Sequence, residues 1–194
     1  MKYHPIPHSQ FSYPIGVKIS HNEKIFNNLC QEFIKIAEHD LLTRKKIYLI
    51  GTGSSGSIIS TFMYFHLVNH FPHLQDNIVI THIKKENETS HANRCDGLPN
   101  KYKPNSEEMP AFIWLDDHIN GGYTANYCLH EIRKHDFHEN TYKDFRFDWA
   151  VCISSEYSRN KQLQLDFFEK ITHNMVCHID TYCEGGQSGM AQFN

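Results

Sequence analysis

The chain predicts an α/β protein, a single domain whose mostly parallel central sheet is flanked by helices. Two observations carry this. Five short, nearly unbroken apolar runs recur: IYLI (47–50), NIVITHI (77–83), AFIWL (111–115), DWAVCIS (148–154) and NMVCHI (174–179). Strands covered on both faces read this way, whereas half-exposed strands alternate apolar with polar. Stretches of helical period separate most of the runs, the order expected of βαβ units. The 194 residues are enough for one domain with a core of its own.

The elements follow in order. Residues 1–19 mix Pro5, Pro7, Pro14 and Gly16 with aromatics and read as an irregular arm. Ser20-His21-Asn22-Glu23 has the S-x-x-E form of a capping box, and Ile25, Leu29, Phe33 and Ile36 follow at helical spacing, so a helix is expected over about 22–40. The strand at 47–50 leads through a Gly/Ser loop to a helix over 56–70, and the strand at 77–83 comes next. The strand at 111–115 leads through Gly121-Gly122 to a helix near 123–134. After the strand at 148–154, LQLDFFEKI (163–171) suggests a helix before the last strand. The core is expected over about 40–180, with 1–20 and 180–194 as arm or hood segments; Glu184–Gly189 reads as a flexible tail.

Composition removes several classes of function. A net charge of −3 provides no basic surplus for general nucleic-acid binding. No apolar run reaches the roughly 18 residues of a membrane span, and no apolar segment of signal-peptide type follows Met1. The six cysteines form no C-x-x-C pair, and several fall inside apolar patterns. They read as reduced, buried thiols of a cytoplasmic protein. The 15 histidines include His66, His70 and His73, and His130 and His135, at or near helical spacing. No acid or cysteine completes a metal set with them, so they read as polar helix faces.

In parallel α/β folds, ligands sit beyond the carboxyl ends of the strands. Gly51, Gly53 and Gly56 match G-x-G-x-x-G after the first strand. A dinucleotide site also needs an acid about 20 positions on, at the end of the next strand. That strand ends in Ile83-Lys84-Lys85, and Asp76 lies before it, so this reading is disfavoured. Two readings of the loop stay open. Ser54, Ser55 and Ser57 with the helix N-terminus suit the phosphate of a phosphosugar, as in sugar-isomerase openings; or the glycines serve a tight turn alone.

The stretch FIWLDDHINGGYTA (112–125) is more specific. Asp116 and Asp117 end an apolar strand, and a Gly-Gly loop with Thr124 opens a helix. Two carboxylates can accept hydrogen bonds from vicinal hydroxyls or meet hydrated Mg2+. The amides of residues 121–124 can cradle a phosphate. One phosphorylated ribose satisfies both groups.

This segment resembles the phosphoribosyl-diphosphate (PRPP) motif of type I phosphoribosyltransferases. The resemblance implies that Asp116 and Asp117 face the ribose hydroxyls and the metal. It implies that Asn120, Gly121, Gly122, Tyr123 and Thr124 hold the 5′-phosphate, and that Gly51, Thr52, Gly53, Ser54 and Ser55 form the diphosphate loop. Residues 83–91 (IKKENETSH) are similar to the flexible loop of orotate-type members, so that Lys85 would reach the diphosphate with Lys84 and His91 beside it. Lys84 stands where that loop has arginine, and Glu88 where it has lysine. The polar stretch 84–108 suits a lid over a site. Ser154, Ser155, Glu156 and Tyr157 lie where members contact the acceptor, although a helix cap accounts for them equally.

The implied function is a Mg2+-dependent pentosyl transfer from PRPP to a nitrogen acceptor with release of diphosphate. Asn120 stands where 6-oxopurine enzymes carry an aspartate base, and an amide is not basic. That argues against hypoxanthine or guanine as acceptor. It also keeps a non-catalytic PRPP or nucleotide regulator as the alternative. A sugar-isomerase-type domain explains GTGSSG but gives Asp116 and Asp117 no task. Family members commonly dimerise, so a homodimer is admitted.

Overall fold

Six strands lie side by side, all parallel: β1 (Lys2–Ile6), β2 (Lys46–Thr52), β3 (Ile78–Ile83), β4 (Pro110–Asn120), β5 (Phe147–Glu156) and β6 (Thr172–His178). Their spatial order is β1-β6-β5-β4-β2-β3. Numbered from β2, the five core strands run 2-1-3-4-5, and β1 adds a sixth beside β6. The helices are α1 (Ile19–Leu42), α2 (Gly53–His70) and α3 (Tyr123–Asp136), and a 3-10 turn, Pro72–Asn77, leads into β3. The computed structural model describes residues 1–6, 19–83, 109–120, 123–136, 145–156, 166 and 168–178.

Side-chain alternation along the strands builds two cores. Ile47 and Leu49 of β2, Ile113 and Leu115 of β4 and Val151 of β5 face α1 and α2, where Phe33, Leu41, Ile59 and Met63 cover them. Tyr48, Ile50, Phe112, Trp114, Ala150 and Cys152 pack in the other core with Ala125, Cys128, Leu129 and Ile132 of α3. Tyr48 and Phe112, neighbours on paired strands, stack with centroids 4.9 Å apart. Burial on both faces is why the strands read as continuous apolar runs.

The amino ends of the strands are tied by an ionic network. Arg44 donates to Asp40 Oδ1 (2.7 Å), Asp148 Oδ1 (3.1 Å) and the Pro110 carbonyl (3.0 Å). Asp40 also accepts from Trp149 Nε1, and Asp148 from the Phe112 amide. Burial alone would lower the Arg44 pKa, but the Asp148 and Asp40 carboxylates outweigh it and raise it. Burial raises the Asp148 pKa, against the opposing pull of the Phe112 amide and Arg44.

The structure departs from the sequence expectations at five places. Lys2–Ile6, read as irregular, is a strand; it pairs only with β6, so Pro5 stands on an edge, where a missing N–H is tolerated. Residues 7–18 of that arm, and the tail beyond 178, lie outside the described residues. α1 begins at Ile19, which puts Ser20 inside the helix instead of at its cap. β2 and α2 meet with no loop between them: Gly51 and Thr52 belong to the strand, and Gly53, Ser54 and Ser55 to the helix. β4 continues through Asp116 and Asp117 to Asn120, because β5 runs alongside it after β2 has ended. Of the helix expected at 163–171, Asp166, Phe168 and Glu169 are helical, and Lys170 and Ile171 form the turn into β6.

Candidate functional site

In the order 2-1-3-4-5 the strand order reverses between β2 and β4, and the crevice at that switch point is where open α/β sheets take ligands. The last β2–β4 pair is Gly51 with Leu115. Thr52 and Asp116 come immediately after it. Both are buried, at 3% and 8% exposure. The Thr52 hydroxyl donates to Asp116 Oδ2 at 2.7 Å. Thr52 is also the N-cap residue of α2, in extended conformation, and its side chain makes no capping bond. The usual cap hydroxyl is thus engaged by the acid of the neighbouring strand. α2 has no acid in its own first turn, and the carboxylate that stands at its positive end is that of Asp116.

Two glycines bring α2 this close. A Cβ on Gly51 would lie 2.5 Å from the Gly56 carbonyl oxygen and 2.5 Å from Ser60 Oγ. A Cβ on Gly56 would lie 2.7 Å from the Leu115 carbonyl oxygen, the residue before Asp116. The first turn of α2 therefore rests directly on both strands at the switch point. Ser60 Oγ donates to the Gly56 carbonyl at 2.6 Å and fills the space beside it. The first and third glycines of the G-x-G-x-x-G spacing are accounted for by helix-on-sheet packing, the turn-geometry reading of that loop.

The sequence-derived site residues fall as follows. Gly51 and Thr52 end β2, and Gly53, Ser54 and Ser55 begin α2. Asp116, Asp117 and Asn120 lie on the end of β4 that runs past β2 beside β5, and Tyr123 and Thr124 open α3. The structure thus joins the β2–α2 junction to Asp116 through Thr52. Lys84, Lys85, His91, Gly121 and Gly122 lie outside the described residues, as does Tyr157. Ser154, Ser155 and Glu156 are strand residues, paired with His118, Ile119 and Asn120 of β4. The β5–β6 register shifts between Cys152 and Ser154, a bulge of the kind found beside sites.

One residue that the sequence reading passed over adjoins this region. His82, near the end of β3, pairs with Gly51. Its Nε2 is buried without a hydrogen-bond partner, and burial lowers its pKa, so the ring is neutral near pH 7. Its position one residue before the end of an apolar run beside Gly51 is the signal that would have found it.

Among the described residues, no group of three or more His, Cys, Asp or Glu could hold a metal ion by itself. None of the helices described is long and apolar enough to cross a membrane. Cys30, Cys128 and Cys152 are buried and in no disulfide, and burial pushes Cys30 up to about 12, which makes it inert.

The class these observations define is an α/β protein with a five-stranded, all-parallel core sheet in the order 2-1-3-4-5 and a polar pair at its switch point. No protein-family model matches the chain, and a search of curated proteins returns no match.

Proposed function

We propose that the chain binds PRPP across the β2–β4 switch point and transfers its 5-phosphoribosyl group to a nitrogen acceptor. The observation that carries the reading is the Thr52–Asp116 hydrogen bond. It couples the helix N-terminus suited to a diphosphate to Asp116, the first of the two acids suited to ribose hydroxyls. In this reading Asp116 and Asp117 accept from the ribose hydroxyls, and the first-turn amides of α2 receive the diphosphate. Lys85, on the segment after β3, adds a positive charge to the leaving group. Residues 120–124 hold the 5′-phosphate and fix the ribose in place.

The acceptor nitrogen forms a bond to C1 as the C1–O bond to diphosphate breaks. The electron pair leaves with the diphosphate, and the acceptor's proton passes to solvent. The protein's task is to orient the reactants, neutralise the leaving group and exclude water. The donor set of Asp116, Asp117 and Thr52 is all oxygen and suits a hard cation. No group of three or more His, Cys, Asp or Glu forms a metal site among the described residues, so these side chains would hold Mg2+ together with substrate oxygens, the usual habit of Mg2+ at phosphates. Bound there, Mg2+ supplies charge neutralisation and Lewis acidity at the diphosphate.

Asn120 favours one second reading, a PRPP-binding regulator with the same site and no proton acceptor at that position. Diphosphate release from PRPP and Mg2+ with a panel of nucleobases and amines separates the two. Transfer predicts release with at least one acceptor and its loss in Asp117→Asn. PRPP binding without release from any acceptor supports the regulator.

A further inference from the structure

Polar side-chain atoms buried without a hydrogen-bond partner are uncommon in folded proteins, and each calls for a reason. Among the described residues, three of them gather around the end of β2: Thr81 Oγ1, Trp114 Nε1 and His82 Nε2. Thr81 and Trp114 flank Ile50, and His82 pairs with Gly51. Each therefore stands one or two residues short of the row that holds Thr52 and Asp116. Thr81 and Trp114 are only 4% and 1% exposed, closed in by the core. His82 is half-buried, so it is the one of the three that a ligand can meet. Strand alternation puts it on the face of Ile80, the face that α2 covers. Its neighbour on β2, Gly51, has no side chain, and the first turn of α2 lies directly over that glycine. The ring thus stands beside the turn whose amides receive the diphosphate in the PRPP reading.

We propose that His82 is a substrate-binding residue of this site, donating from its ring N–H to an oxygen of the diphosphate. The proposal rests on the PRPP reading and adds to it a contact from within β3. Burial keeps the ring neutral near pH 7, so it has one N–H to donate and no charge of its own to desolvate. The second side-chain torsion of histidine has broad wells, so a small turn of the ring brings Nε2 to an entering group. An unmet buried nitrogen costs stability as long as it stays unmet. An anionic oxygen repays that cost best, because hydrogen bonds to charged groups are about twice as strong as neutral ones. The same bond strengthens as charge builds on the departing diphosphate.

Thermal melts, with calorimetric titration of inorganic diphosphate, PRPP and ribose 5-phosphate in the presence of Mg2+, test it. His82→Leu removes the unmet nitrogen. It is expected to raise Tm by about 2 °C or more while weakening diphosphate and PRPP about tenfold or more. A histidine with a structural role alone would not move stability and affinity in opposite directions. Ribose 5-phosphate, which lacks the diphosphate, is expected to bind both proteins alike. His82→Gln keeps an N–H near the place of Nε2 and is expected within about threefold of the wild type. The shorter His82→Asn is expected to bind as weakly as His82→Leu, so the contrast of Gln with Asn decides if the Leu variant does not fold. Equal diphosphate and PRPP affinity in the wild type and a folded His82→Leu, or in the Gln and Asn variants, overturns the proposal and leaves the PRPP reading standing. So does a loss of ribose 5-phosphate affinity as large as that of PRPP. A wild type that binds neither PRPP nor diphosphate overturns both.

Discussion

Gly56→Ala reverses the sign expected of its class. Within a helix, exchanging glycine for alanine ordinarily stabilises by about 1 kcal/mol. At Gly56 the added Cβ would lie 2.7 Å from the Leu115 carbonyl oxygen and 3.0 Å from the Gly51 carbonyl carbon. All these neighbours are backbone of packed strands, so no side chain can swing away. The first turn of α2 must move outward by several tenths of an ångström. Overpacking of this kind costs about 1–3 kcal/mol, and rigid neighbours place it at the upper end. Less the propensity gain, the net loss is about 1–2 kcal/mol, or about 2–8 °C in Tm for a chain of this size. Urea unfolding with an unchanged m-value, alongside thermal melts, measures it. Asn69→Ala on the exposed side of the same helix is the control, expected to be neutral or slightly stabilising. A Gly56→Ala variant that melts at or above the wild-type temperature refutes the claim that glycine is required for α2 to rest on Leu115. Because the displaced turn is the one beside Asp116, the same variant is also expected to weaken PRPP binding.

Three further outcomes are expected. Thr52→Val deletes the hydroxyl from a buried hydrogen bond to a carboxylate, a loss of about 1.5–3 kcal/mol, whereas Thr52→Ser keeps most of it; equal stability of Val and wild type would contradict the assignment. Arg44→Met leaves Asp40 and Asp148 without their cation; since the pair is about a fifth exposed, a loss of about 2–3 kcal/mol is expected, below the range for full burial, and denaturant unfolding checks it. His66, His82 and His173 all have pKa values lowered, mainly by burial, from 6.5. Their neutral forms favour the fold, so the stability they add is complete above pH 6.5 and is lost as pH falls towards their folded values. Melts between pH 5 and 7.5 are expected to show Tm falling on the acid side, and His82→Gln should flatten part of that slope.

The strands of the core were legible because parallel strands buried on both faces leave uninterrupted apolar runs, and all five such runs are strands. Lys2–Ile6 was not, because its prolines signal irregular chain and only the long-range pairing with β6 makes it a strand. The β2–α2 junction was misjudged for a related reason. Glycine and serine carry loop propensity, while the contacts that hold Gly51 against Gly56 are tertiary. Asp116 and Asp117 were legible as a pair, but the strand was expected to stop at Leu115, and it continues because β5 keeps it company. The Arg44–Asp40–Asp148 network joins residues more than 100 positions apart and leaves no local pattern. The Thr52–Asp116 bond joins two segments that the sequence reading had both marked, which is why the meeting point could be anticipated although the bond itself could not.

The central claim is that the acid of β4 and the junction of β2 with α2 form one PRPP site. Calorimetric titration of PRPP in the presence of Mg2+, into the wild type and into Asp116→Asn, tests it most directly. The account predicts saturable binding by the wild type that weakens about tenfold or more in Asp116→Asn, at least 1.4 kcal/mol. Absence of binding by the wild type, or equal affinity in the two proteins, would contradict it.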